Sequence, residues 1–200
     1  MRGMKTGLNA MMGTLGLAVL LAACNVDSTT PDNSLRISNP TVKTEYYDTI
    51  NSQYVVCANV NSVSAANLVR VTVTASTAPT ALHVQLIGET SSRYGSAYDT
   101  TFSGGNLNVS ADRYSGLFEQ PAVTGSDSEI LPQGIVVNPA TRPVKFVTTA
   151  ESDRVAGGYG GFHATVVGTS STGQTTNTLT TGSVPSYVNC ALQGTSSDPV

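Results

Sequence analysis

Strict alternation of apolar and polar residues is the feature of this 200-residue chain that most restricts its fold. Between Leu68 and Ala75, the side chains of Val69, Val71, Val73 and Ala75 fall on one face, and those of Arg70, Thr72 and Thr74 on the other. From Ala81 to Gly88, Leu82, Val84 and Leu86 oppose His83 and Gln85. Successive side chains leave a pleated backbone on opposite sides, so a period of two belongs to a strand with one buried face. Comparable strand-like segments are 41–45, 53–60, 106–110, 134–138, 143–149, 161–168, 175–181 and 187–193. Clusters of Gly, Asn, Ser and Thr separate them, as at 103–106, 124–127 and 168–173. Short turn-bounded strands in this number predict an all-β chain, a single antiparallel β-sandwich or barrel-like domain. Two windows, 62–69 and 110–118, offer weak helical patterns, and neither reaches the ~12 residues of a secure helix. No fixed-period repeat is present, which disfavours propellers and solenoids. Segment 119–132, which carries Asp127 and Glu129, reads as a loop crossing between sheets.

Composition narrows the partners. Charged residues make up 12% of the chain, about half the usual share. Ser and Thr fill the gap. The net charge of −3 provides no cationic footprint for a phosphate backbone, so a nucleic-acid partner is not expected. The 40% hydrophobic content exceeds that of disordered segments.

The N-terminus carries an address. Arg2 and Lys5 precede an apolar run over 10–23 that ends in small residues, which is the layout of a secretory signal. The exit, Leu21-Ala22-Ala23-Cys24, resembles the lipobox of bacterial lipoproteins. That resemblance implies a diacylglyceryl group on the Cys24 thiol, cleavage before Cys24, and acylation of the amine so exposed. Several acyl chains, at ~0.8 kcal/mol per buried methylene, hold a protein where one chain would not. Asn25, rather than Asp, follows the cysteine and implies an outer-membrane or cell-surface destination. The expected organisation is a cleaved signal peptide over 1–23, a lipidated cysteine and flexible tether over 24–34, and the β-domain over 35–200. Loss of the signal leaves 8 basic and 13 acidic residues, a net −5. Ten tether residues reach roughly 35 Å when extended.

Cys57 and Cys190 are then an even pair in an exported chain, which predicts a disulfide. Closing so long a loop is worth about 4–5 kcal/mol in the chain-entropy account. No Cys-x-x-Cys spacing and no adjacent cationic cluster mark the pair as redox-active.

Signs of catalysis are sparse. The chain has two histidines, His83 and His163, and no Gly-x-Ser-x-Gly elbow, so a serine triad is not expected. The run Gly157-Gly158-Tyr159-Gly160-Gly161 precedes a strand rather than a helix and reads as a hairpin loop, not a phosphate cradle. Asp127 with Glu129, and Glu151 with Asp153, read as solvated loop charge rather than calcium ligands. Tyr94 and Tyr98 lie in a small-residue loop of the kind found on contact surfaces.

The alternative reading is a metal site. His83 and His163 sit on the less apolar faces of their strands and would converge only if those strands were neighbours. Gly161-Phe162-His163 resembles the Gly-Phe-His metal strand of secreted copper-dependent superoxide dismutases, which are disulfide-bonded β-sandwiches. The spacing from His163 to Cys190 resembles that family's last copper histidine and final bridge cysteine, an assignment that competes with the first. Ala164-Thr165 stands where the second ligand of the His-x-His pair would be. The resemblance implies a copper-binding, dismutase-like envelope lipoprotein. The principal expectation is a non-enzymatic one, with no cofactor: a structural or accessory binding subunit, membrane-held by its lipid, contacting other envelope proteins or further copies of itself.

Overall fold

The alternating segments pair into two sheets that enclose a core of Val, Leu and Phe side chains in a computed structural model describing residues 34–88, 99–122, 136–154 and 160–200. The strands begin with β1 (Ile37–Thr44), β2 (Tyr46–Asp48), β3 (Gln53–Val60), β4 (Val63–Ser64) and β5 (Asn67–Ala75). They continue with β6 (Ala81–Gly88), β7 (Asp99–Ser103), β8 (Leu107–Ser110), β9 (Arg113–Gln120) and β10 (Val136–Val137). The last are β11 (Pro143–Thr148), β12 (Gly161–Thr169), β13 (Leu179–Thr180) and β14 (Val184–Pro199). Helical structure among the described residues is limited to single 3-10 turns at Gly104–Asn106 and Glu151–Asp153.

The first sheet runs β1-β5-β9, all antiparallel, with β8 and β10 pairing successive parts of the outer edge of β9. The second runs β4-β3-β2-β11-β14-β12-β6-β7, and β13 adds to β12. Val69, Val71 and Val73 of β5 and Leu82, Val84 and Leu86 of β6 are all buried in the shared core, as their alternation predicts. Phe102, Phe118 and Phe162 join them. Fully burying one such side chain stabilises the fold by roughly 1.5–3 kcal/mol.

Two pairings depart from an all-antiparallel sandwich: β2 with β11, and β3 with β14, are parallel. Together with the antiparallel pairs β2–β3 and β11–β14, they close a four-strand ring. Cys57 and Cys190 are bonded here, with Cα atoms 5.9 Å apart, and cluster with Tyr46, Val55, Val147 and Tyr187. The bridge therefore fastens β3, near the start of the domain, to β14 at its end.

Both helical windows are strands and the turns beside them, with no helix. In 110–118, Tyr114 and Phe118 alternate into the core, and pairing with β5 continues from Arg113 to Gln120. In 62–69, Asn61 and Ser62 both take positive φ and turn the chain between β3 and β4, so Val63 pairs with Val60. Two consecutive positive-φ residues make a hairpin turn and cannot begin a helix. The expected crossover begins later than residue 119, because Glu119 and Gln120 belong to β9; most of that segment, including Asp127 and Glu129, lies outside the described residues.

Candidate functional site

The outward face of the first sheet carries a polar cleft of about 470 Å³, with Lys43, Arg70 and Arg113 in its lining. Its construction follows from strand register. Thr41 of β1 lies opposite Thr72 of β5, Thr72 opposite Ser115 of β9, and Ser115 opposite Asn108 of β8. Four strands thus contribute one transverse row of hydroxyl and amide groups. One step along the sheet, Lys43 is opposite Arg70; on the other side of the row, Arg113 is opposite Ser110. Cations flank the polar row from both sides.

The C-terminal residues build one wall. Lys43 Nζ donates to the Pro199 carbonyl at 2.8 Å, and Arg70 Nη2 donates to Val200 O at 2.7 Å. Partial burial lowers the Arg70 pKa from its ordinary value, by desolvation; a guanidinium nevertheless stays protonated in a protein. Arg70 Nε and Asn108 Nδ2 are shielded from solvent and have no acceptor among the described residues. None of the three cleft cations pairs with a side-chain carboxylate among the described residues.

Arg142, Lys145 and Arg154, by contrast, each face a carboxylate. Glu45 is fully buried just beyond β1. Its carboxylate meets Lys145 Nζ at 2.8 Å and Arg142 Nη1 at 3.5 Å, and accepts the Leu68 amide at 3.3 Å. Arg142 also holds Glu119, and Arg154 approaches Glu151 at 3.6 Å. Burial pushes the Tyr46 phenol strongly upward, and the neighbouring Glu45 charge adds to that shift. Tyr46 Oη donates to the Ala66 carbonyl at 3.2 Å.

The histidines do lie on neighbouring strands, β6 and β12. Register separates them, however: His83 is opposite Val167, and His163 is opposite Ile87. They share an outward face but stand four residues, or about 13 Å, apart along it. His83 Nε2 instead contacts Asp99 of β7, whose other carboxylate oxygen accepts from Gln85 at 3.0 Å. This arrangement does not bring the two imidazoles to one ion. No group of three or more His, Cys, Asp or Glu suited to a metal ion occurs among the described residues.

Other candidates are placed differently. Cys24, Tyr94, Tyr98, and the glycine run except Gly160 and Gly161, lie outside the described residues. Glu151 and Asp153 share a single 3-10 turn. Among the scattered tyrosines, Tyr46, Tyr114 and Tyr187 are buried, while Tyr47 contacts both Tyr54 and Phe146 edge-on. Sequence reading identified the outward direction of Arg70 and Thr72 but not their grouping with Lys43 and Arg113. Scans of protein-family models, curated proteins and solved structures each return no match to this chain.

Proposed function

We propose that the protein is a lipid-anchored subunit of a bacterial cell envelope, held at the outer membrane or cell surface, with an accessory binding or assembly role. The observation that carries this reading is the buried Cys57–Cys190 bridge. A fold closed by such a bridge suits an oxidising, exported compartment. The bridge also engages two of the three cysteines, leaving Cys24 at its small-residue exit as the one available for acylation. Binding rather than chemistry is favoured by the cleft, whose cations and hydroxyls are groups for holding a ligand. Its fixed strands suit that task, since positions on a paired sheet are held more closely than positions on loops.

Mass spectrometry of the N-terminal peptide, from protein purified out of a bacterial membrane, tests the anchor. The expected species begins at Cys24 and carries thioether-linked diacylglycerol and an N-acyl chain. An unmodified Cys24 thiol overturns the anchor. Gentle detergent extraction addresses assembly: companions or further copies should co-purify, and a strictly monomeric, solitary protein would count against that role.

A further inference from the structure

We infer that the cleft on the outward face of β1, β5, β9 and β8 binds a small acidic sugar, one whose phosphate or carboxylate is carried on a hydroxylated ring. This deepens the binding role proposed above and rests on it. Three features of the cleft support the assignment. Lys43, Arg70 and Arg113 gather in one hollow of a chain whose net charge is negative, and no acidic residue lines that hollow. Arg70 already donates to Val200 O, so an oxyanion in the hollow would supply countercharge chiefly to Lys43 and Arg113, and the Arg113 fork matches the geometry of its paired oxygens.

The second feature is the row Thr72, Ser115 and Asn108, continued by Thr41, between the cations. Hydroxyls and amides both donate and accept, which suits a ligand bearing several hydroxyl groups better than a bare anion. The third is its size. A volume of about 470 Å³ lies within the usual size range of small-molecule sites.

The test uses the full chain in nonionic detergent and ligand-observed saturation-transfer NMR. The probes are glucose 6-phosphate, glucuronate, inorganic phosphate and neutral glucose. At least one acidic sugar should bind saturably, at least tenfold more tightly than glucose, and weaken as salt is raised. The tighter of the two identifies the anionic group as phosphate or carboxylate. Arg113→Ala, at an exposed strand end, should weaken that sugar at least fivefold. Thr72→Val, which keeps a β-branched shape, should weaken it about threefold. The inference is overturned if neither acidic sugar binds, if glucose binds equally well, or if phosphate alone binds. Unchanged affinity in both variants overturns it as well. Failure here with an acylated Cys24 would leave the anchor standing, whereas sugar binding by an unacylated chain would reject only the anchor.

Discussion

Gly116 sits where β9 passes against the ring of Phe102, and the space for a side chain there is already filled. A Cβ at this position would lie 2.3 Å from two ring carbons of Phe102. That ring is itself fully buried and stacks on Phe118 with centroids 6.1 Å apart, so it has little room to withdraw. Gly116→Ala should therefore destabilise the domain by about 1–3 kcal/mol, the usual effect of overpacking. Urea unfolding measures this; a loss below about 0.5 kcal/mol would mean that the ring shifts freely, contrary to the close packing of protein interiors. The requirement was invisible in the sequence, where Gly116 falls within the weak helical window at 110–118. It arises from a phenylalanine on another strand, and no local pattern reports such an approach.

Strand β14 shows the same limit over a longer stretch. Its apolar segment at 187–193 was recognisable, yet the strand extends from Val184 to Pro199. Residues 195–198 are Thr, Ser, Ser and Asp, which carry no alternating apolar signal. They are extended because β11 pairs with their part of the strand, in a register interrupted by irregularities. Strands β2 and β7 were missed for a related reason: each is short and is held by its neighbours rather than by a periodic pattern of its own. The first half of β14 pairs with β3, so the bridge and the parallel ladder fasten the same two elements. Replacing both cysteines by alanine should cost about 2–5 kcal/mol, through the wider freedom of the unfolded chain. Comparing unfolding midpoints of the bridged protein and the double variant checks this; equal midpoints would show that the ladder alone suffices.

For the molecule as a whole, the anchor and the domain are expected to be separable. With residues 1–23 exchanged for an ordinary cleaved secretory signal, Cys24→Ser removes the proposed acylation site and leaves the Cys57–Cys190 bridge untouched, so the exported variant should move from the membrane to the soluble fraction. Its circular dichroism should stay that of a β-protein. Membrane retention of the variant would show that something other than the lipid holds the chain.

Local chemistry was enough to foresee most of the strands, though not β2, β4, β7 or β9, together with the inward faces of β5 and β6 and the pairing of Cys57 with Cys190. Alternation is imprinted residue by residue, and a disulfide between two remaining cysteines requires little knowledge of topology. Register is different. Sliding a strand by one residue exchanges its faces, and the choice is made by packing across the whole domain and by the turns. Tertiary structure alone offset His83 from His163 by four residues, closed the ring around the bridge, and aligned Thr41, Thr72, Ser115 and Asn108 beside three cations. Those cleft residues are far apart in the chain, and only hydrogen bonding between their strands makes them neighbours.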